Sequence, residues 1–140
     1  MIIQRGTADC YCINVVGNAT ASPPDSTTYH FGSLGALALS PGFNRIYIPK
    51  TGVVTKIYIG HVVAGTLGTS ENSTVYFRLN NTTDTSIVST VDSSSSTSYY
   101  NNTALSIAVS ADDFFELKWV TPAWATNPTN TYLSAQILIE

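Results

Sequence analysis

Apolar and polar residues alternate along much of the chain, most clearly from residue 114 to residue 120 (F-F-E-L-K-W-V). Phe115, Leu117 and Trp119 fall on one face of this segment, and the residues between them fall on the other. A period of two is typical of a β-strand with one buried face. Prolines follow at 122 and 128, and proline cannot donate a hydrogen bond to a neighbouring strand. We therefore predict a central strand that ends near Thr121, followed by a rigid loop.

Similar patterns predict strands along the rest of the chain. They are expected at Ser33–Leu39, Asn44–Ile48, Val53–Val63, Thr74–Asn80, Ser86–Val91, Thr103–Val109 and Tyr132–Ile139. Turn-forming residues separate these segments at short intervals, and no window has the helical period of 3.6. The polar segment 92–102 is predicted to be a loop. About eight antiparallel strands indicate an all-β sandwich or barrel.

The first 28 residues have a different character. Residues 1–17 alternate only loosely and fit either a strand or an extended arm, while residues 17–28 have no apolar period and contain two adjacent prolines. The prolines favour a polyproline-like linker. We therefore predict an extended N-terminal arm over residues 1–28 and a sandwich over residues 29–140. The arm residues expected to bind a partner are Ile2, Ile3, Arg5, Tyr11, Ile13, Val15, Pro23 and Pro24.

Length and charge exclude several classes of protein. The 140 residues suit a single domain, and only 11% of them are charged, against ~25% in average domains. The net charge is −3 and the six basic residues are scattered, which argues against a nucleic-acid-binding protein. No apolar run approaches the ~20 residues of a membrane span. The N-terminus begins with Met and lacks the pattern of a signal peptide, so we expect synthesis in a cytoplasm without conventional secretion.

Candidate catalytic residues are few and lack the partners that catalysis requires. The chain has two histidines, His30 and His61, but no G-x-S-x-G motif to supply a nucleophile. Most of the carboxylates fall in predicted turns, where Asp accepts hydrogen bonds from its own backbone. Asp112 and Asp113 could share a calcium ion with Asp84 or Asp92, but no EF-hand-like spacing supports one. We expect no enzymatic activity, no cofactor and no metal site.

The cysteine pair Cys10 and Cys12 is expected to be structural. On a strand the two side chains would project from the same face, about 6–7 Å apart, which is too far for an undistorted disulfide. Zinc would need more ligands, and none lies nearby in sequence. We predict two small buried apolar residues, with a bridge to another chain as the alternative.

Four aromatic residues are candidate contacts for a ligand or a partner: Tyr99, Tyr100, Trp124 and Tyr132. Aromatic rings of this kind could stack on sugar rings. They could equally form a subunit interface, where Tyr and Trp are enriched. We favour the interface, because no acidic or amide cluster accompanies a particular aromatic residue in the sequence.

From about Tyr29 to Glu140 the chain resembles the jelly-roll domains of bacteriophage virion proteins, which are similar to trimeric C1q/TNF-like heads. The motifs that carry this resemblance are Y-H-F-G at 29–32, I-P-K-T-G at 48–52 with T-K-I at 55–57, V-Y-F-R-L-N-N-T at 75–82, L-S-I-A-V-S-A at 105–111 with Asp113, K-W at 118–119, and P-A-W-A-T-N-P at 122–128. The family usually has Gly where this chain has Asp112, and Asp tolerates the left-handed conformation that such a turn requires. No collagen-like or coiled-coil stem is present.

The resemblance implies a jelly-roll β-sandwich that assembles as a homotrimer. It further implies a structural virion protein: a capsid decoration or cement protein that binds the major capsid protein on the capsid surface. In that role the N-terminal arm would lie along the shell or pair with a neighbour. The alternative role is the glycan-binding, receptor-recognising tip of a head or tail fibre.

Overall fold

The computed structural model describes residues 10–19 and 22–140, and strands and loops account for all of them. The strands are β1 (Tyr11–Ala19), β2 (Thr28–Phe31), β3 (Ile46–Tyr47), β4 (Gly52–Val63), β5 (Asn72–Leu79), β6 (Thr83–Asp92), β7 (Thr97–Asn102), β8 (Ile107–Val109), β9 (Phe114–Val120) and β10 (Thr131–Ile139). Within these two ranges, no helix has the length and apolar character needed to cross a membrane.

The strands form two antiparallel sheets. The first sheet has the order β1-β10-β4-β7, with β8 also paired to β4, and the second has the order β2-β9-β5-β6, with β3 also paired to β9. Strands β2 and β3 together occupy the position of one strand, and so do β7 and β8. With those two pairs merged, the order is that of an eight-stranded jelly roll, with the first strand beside the last. The predicted all-β sandwich is confirmed.

The core lies between the inner faces of the two sheets. Phe115, Leu117 and Trp119 of β9 are completely buried, as their spacing predicts. The rings of Phe77 and Phe115 stack with centroids 4.7 Å apart. Strand β10 alternates between buried and exposed positions along its whole length. The strict period of two in β9 and β10 therefore identified core strands correctly.

Strand β1 lies where the sequence predicted an arm. It pairs with β10 over nine positions, from Tyr11 opposite Ile139 to Ala19 opposite Thr131. Val15 is buried, and Tyr11 and Ile13 pack against the core. These side chains continue the inner face of the first sheet, so the sandwich includes residues well before Tyr29. Ile2, Ile3 and Arg5, the other predicted arm contacts, lie outside the described residues.

The segment with two prolines is also bound to the domain. The carbonyl oxygen of Pro23 accepts a hydrogen bond from Nδ2 of Asn127 at 2.8 Å, and that of Pro24 accepts one from Oγ1 of Thr121 at 2.8 Å. The Asp25 carboxylate accepts a hydrogen bond from the backbone N–H of Trp124. Pro23 is buried and Pro24 is exposed. This segment therefore supports the proline-rich loop after β9, and its main chain is engaged within its own domain.

Two further sequence predictions were wrong. Thr97–Asn102 is strand β7, paired with β4 over six positions, although its polar composition indicated a loop. An edge strand with one solvated face needs few apolar residues, and tertiary pairing outweighs its weak propensity. Conversely, residues 33–39 form a loop that makes only isolated bridges to β1 and β2, although their apolar composition indicated a strand.

The turn before β9 contains a residue in the left-handed region, since Asp112 has a φ of 71°, as expected. Glycine adopts this conformation without strain. We predict that Asp112→Gly raises the free energy of unfolding by up to about 1 kcal/mol, measured by urea denaturation. Asp112→Ala is the matched control and should lower it. Equal effects of both substitutions would contradict this account of the turn.

Candidate functional site

The outer face of the first sheet forms a shallow groove. Strand pairing aligns Asn14, Gln136, Tyr58 and Asn101 in one row across the sheet, and Val16, Ser134, Gly60 and Tyr99 in the next. Because successive strand residues point to opposite faces, the side chains of both rows point outward. The second row has small residues at its centre and large ones at its ends. The concavity between them has a volume of about 490 Å³.

Gly60 and Ser134 form the floor of this groove. A Cβ atom on Gly60 would lie 2.5 Å from Oγ of Ser134 and 3.7 Å from the ring of Tyr99. The Tyr99 ring is therefore positioned beside the glycine directly opposite it in the sheet, yet it remains 81% exposed. Tyr58 is also exposed. The groove thus combines a narrow floor with accessible aromatic walls.

Three amide side chains line the same groove: Asn14, Asn101 and Gln136. All three are exposed, and none makes a side-chain hydrogen bond to residues 10–19 or 22–140. By contrast, the side chain of Asn102, next to Asn101, donates to the carbonyl oxygen of Ile87. An amide carries both donors and an acceptor, so the groove offers unused hydrogen-bonding groups of both kinds.

The groove is also uncharged. No Asp, Glu, Lys, Arg or His is among its lining residues. Across the described part of the chain, moreover, no group of three or more His, Cys, Asp or Glu residues is arranged to hold a metal ion. The second sheet differs, because its outer face carries an ion cluster in which Asp84 contacts Arg78 at 2.6 Å and Lys118 at 2.7 Å. The two outer faces of the sandwich are therefore chemically distinct.

The four predicted aromatic contacts separate into two pairs. Tyr99 and Tyr132 lie on the outer face of the first sheet. Trp124 is only 5% exposed and packs against Trp119 at a centroid distance of 6.2 Å. Tyr100 packs against the core, and its hydroxyl accepts a hydrogen bond from the backbone N–H of Asp92. Trp124 and Tyr100 therefore stabilise the fold and are unsuited to surface binding.

Sequence reasoning missed most of the groove. Asn14, Tyr58, Asn101 and Gln136 are separated widely along the chain and meet only through the pairing of β1, β10, β4 and β7. The available signal was their outward position in alternating segments. That signal was lost because β1 was interpreted as an arm and β7 as a loop.

A second exposed surface lies over the other sheet. The covering loop (residues 32–45) connects β2 to β3. Leu34, Leu39 and Phe43 on this loop and Tyr47 on β3 are exposed, and we call these four side chains the apolar patch. Their exposed fractions are 68%, 68%, 66% and 61%. Where exposed apolar side chains form one contiguous surface, that surface commonly marks a site of association with another protein.

Asn44 holds the covering loop rigidly. It is buried, and its Nδ2 donates to the carbonyl oxygens of His30 and Ala36, both at 3.1 Å. Its Oδ1 accepts a hydrogen bond from the N–H of Leu34. Gly32 permits this close approach, because a Cβ there would lie 2.0 Å from the carbonyl oxygen of Asn44.

Glu116 provides a second anchor for the covering loop. It points away from the core but is completely buried beneath the loop. Its Oε1 accepts a hydrogen bond from the N–H of Gly42 at 2.7 Å and lies 3.6 Å from Nδ1 of His30. A buried carboxylate needs such donors, so these contacts fix the loop in one conformation. The apolar patch is therefore presented on a rigid base.

Both histidines are buried within the fold. Burial lowers the pKa of His30, although the nearby Glu116 carboxylate opposes this shift. Burial also lowers the pKa of His61 to about 4, with the Asp92 carboxylate opposing. The His61 ring lies 6.4 Å from that of Trp119 in the core. Both side chains are therefore neutral near pH 7.

The two cysteines contradict the prediction that they would be buried. Cys10 and Cys12 are both free and exposed. Cys12 pairs with Leu138 in the first sheet. These two residues belong to an outward-facing row that lies next to the row containing Asn14. The thiol therefore lies on the solvated face of β1 and does not fill the core.

Comparison with known proteins identifies the fold. No protein-family model matches the chain, and no curated protein matches it. The crystal structure of FLHE is similar, with a TM-score of 0.50, 11% identity and coverage of 94% of this chain and 96% of that one. The globular domain of zebrafish complement 1qA protein has a TM-score of 0.48 and 10% identity, with coverage of 91% and 94%. At 11% identity, the likeness to FLHE extends to the β-sandwich fold alone.

Proposed function

We propose that this chain is a non-catalytic structural protein of a bacteriophage particle, a decoration or cement protein that binds the major capsid protein on the capsid surface. The family resemblance of the sequence motifs supports this role, and the jelly-roll order of the strands agrees with what that resemblance implies. The observation that carries the proposal is the apolar patch on its rigid covering loop.

The apolar patch has the properties of a protein-binding surface. Three of its four side chains, Leu34, Leu39 and Phe43, project from the covering loop, whose main chain is bonded to Asn44 and Glu116. The fourth, Tyr47, lies on β3 directly after that loop. A rigid loop loses little conformational entropy on binding, which favours association. Exposing these side chains to water is unfavourable, so burying them against a partner recovers roughly 25 cal/mol for each Å² of apolar surface. A capsid shell offers such a partner in many copies.

This proposal moves the capsid-binding surface away from the N-terminal arm. Tyr11, Ile13 and Val15 belong to strand β1 and face the core, so they are unavailable to a shell protein. Pro23 and Pro24 hold the loop after β9 through their carbonyl oxygens. In this proposal the covering loop binds the shell in place of the arm, because its large apolar side chains are exposed to solvent.

We further propose that the protein assembles as a homotrimer in the virion, after synthesis in the host cytoplasm. The trimer comes from the resemblance to C1q/TNF-like heads. It is supported by the low charge of the chain, 11% of residues, which favours burial of surface against other subunits.

Light scattering at micromolar concentration should give the mass of three chains, and the mass of one chain would contradict the trimer.

A patch variant tests the shell-binding role. Replacing Leu39 and Phe43 together by serine is expected to reduce binding to shells that lack the protein by at least about tenfold, because the burial of two large apolar side chains is lost at once. Co-sedimentation with purified shells measures the binding. Leu67→Ser is the matched control, since Leu67 is an exposed apolar residue outside the patch. Undiminished binding by a folded double variant would overturn the proposal.

A further inference from the structure

We propose that Arg45 is a specificity-determining residue beside the apolar patch, and that the shell protein meets it with a carboxylate surrounded by apolar side chains. This inference rests on the proposed function and names the chemistry of the partner at the same surface. Arg45 is exposed, and it is the only charged residue between positions 32 and 47. The surface formed by the apolar patch and Arg45 is therefore apolar with a single positive charge.

Phe114 connects Arg45 to the apolar patch. The guanidinium carbon of Arg45 lies 4.4 Å from the centroid of the Phe114 ring. The ring of Tyr47, which pairs with Phe114 across β3 and β9, lies 5.8 Å from the same centroid. The cation and the aromatic end of the apolar patch therefore share one aromatic neighbour and form a continuous surface.

The guanidinium group is preorganised by this contact. Arginine stacks favourably on aromatic faces, and its planar group is more weakly hydrated than an ammonium group. Gly42 leaves room for the arrangement, because a Cβ atom there would lie 3.2 Å from Nη2 and 3.5 Å from Nε of Arg45. A side chain that is already positioned loses less conformational entropy when a partner binds.

The donors of Arg45 have no acceptor within the described part of the chain. Its guanidinium makes no hydrogen bond or ion pair with residues 10–19 or 22–140. The carboxylates of Asp113 and Glu116, close to Phe114 in sequence, accept hydrogen bonds from other groups. The guanidinium therefore presents a planar set of N–H donors, and that geometry matches the two oxygens of a carboxylate.

A carboxylate on the partner follows from the cost of covering a cation. A partner that buries the apolar patch also removes water from Arg45. A desolvated cation is unfavourable unless an anion replaces its water. A shell surface with a carboxylate at this position satisfies both the apolar side chains and the cation, whereas a wholly apolar surface leaves the cation unpaired. Arg45 thus discriminates between partner surfaces.

A protein suits this surface better than a polyanion does. Nucleic acids and anionic membranes are bound by several Lys and Arg residues acting together. This chain has a net charge of −3, and Arg45 is the single cation of the surface. Arginine and aromatic residues are, in contrast, enriched at the centres of protein interfaces. We therefore assign the carboxylate to a protein side chain of the shell.

Co-sedimentation of purified shells with Arg45 variants tests this inference. We expect Arg45→Gln to weaken shell binding at least about tenfold, because a carboxylate desolvated in the contact is left without its cation. Arg45→Lys should recover only part of the loss, since an ammonium group keeps the charge but lacks the planar fork. Circular dichroism checks that each variant is folded.

Shells with blocked carboxylates provide the second arm of the test. Carbodiimide and glycinamide convert the exposed carboxylates of the shell into neutral amides. The unmodified protein should bind blocked shells about tenfold or more weakly than untreated shells, while Arg45→Gln should bind both kinds equally. Phe43→Ser is the matched control, because it removes part of the apolar patch but keeps Arg45. Its binding should still fall when the carboxylates are blocked.

The possible outcomes separate this inference from the proposed function. If the unmodified protein does not bind shells, the decoration role fails and the inference fails with it. If Arg45→Gln binds shells as tightly as the unmodified protein does, or if blocking weakens both proteins equally, only the carboxylate pairing is overturned. Arg45-dependent sedimentation with phosphatidylglycerol vesicles would also overturn it, because the residue would then serve a lipid surface.

Discussion

Replacing Trp119 by alanine is expected to lower the free energy of unfolding by about 3–5 kcal/mol, the range for large aromatic residues in cores. Trp119 is completely buried at the centre of β9. Its ring stacks on Tyr29 at 5.7 Å and packs against Trp124 at 6.2 Å. Its Nε1 donates a hydrogen bond to Oγ of Ser73 at 2.7 Å. The substitution therefore leaves a cavity and removes one of the two hydrogen bonds of the buried Ser73 hydroxyl, which still donates to the carbonyl oxygen of Val91.

Urea denaturation of the variants measures this effect. Trp119→Phe is the matched control, because it keeps an aromatic ring while removing the hydrogen bond to Ser73. We expect Trp119→Phe to retain part of the stability that Trp119→Ala loses. A loss below about 1 kcal/mol for Trp119→Ala would be typical of a surface site and would contradict the placement of Trp119 in the core.

Stability is expected to fall by about 3 kcal/mol between pH 6.5 and pH 4 because of His61. Burial is the main reason that its pKa is lowered from 6.5 to about 4. Each unit of difference between the pKa values of the folded and unfolded states corresponds to about 1.4 kcal/mol of stability. The unfolded chain takes up a proton below pH 6.5, while the folded protein resists protonation until about pH 4. Acid therefore favours unfolding across this window, and the contribution of His61 levels off below it.

His61→Leu tests this assignment, because leucine is similar in size and cannot take up a proton. The variant should show a much flatter dependence of unfolding free energy on pH between 6.5 and 4, measured by urea denaturation. A smaller slope in the same direction should remain, since the pKa of His30 is also lowered. Asp84 and Asp113 have lowered pKa values, so their protonation acts at more acidic pH. A slope unchanged by His61→Leu would exclude His61 as its source.

The core strands could be predicted because their alternation depends only on neighbouring residues. Phe115, Leu117 and Trp119 form one face whatever the rest of the chain does. The left-handed conformation of Asp112 was expected from the family resemblance, together with the tolerance of a short polar side chain for positive φ. Patterns of this kind specify which residues are buried. They do not specify which strands are neighbours.

The exposed sites depend on pairing, which is why the sequence did not reveal them. Tyr99 meets Gly60, and Asn101 meets Tyr58, only because β7 pairs with β4 in one register. Glu116 had the pattern of a solvated residue, yet it is buried because the covering loop folds over it. In both cases a long-range contact decides the environment of the residue.

The structure also changes how the aromatic residues are interpreted. An interface was favoured at first because no amide cluster accompanied an aromatic residue. The amides of Asn14, Asn101 and Gln136 now provide such a cluster beside Tyr58 and Tyr99. The apolar patch, in contrast, lacks such groups and better suits a protein partner.

Electron cryomicroscopy of shells that lack the protein, incubated with the purified chain, tests the central claim most directly. We predict that the unmodified protein decorates the shells at regular positions, with the covering loop against the shell. The Leu39→Ser/Phe43→Ser variant should leave most positions empty, whereas Leu67→Ser should fill them. Bare shells with the unmodified protein, or decoration in which the covering loop faces solvent, would contradict the claim.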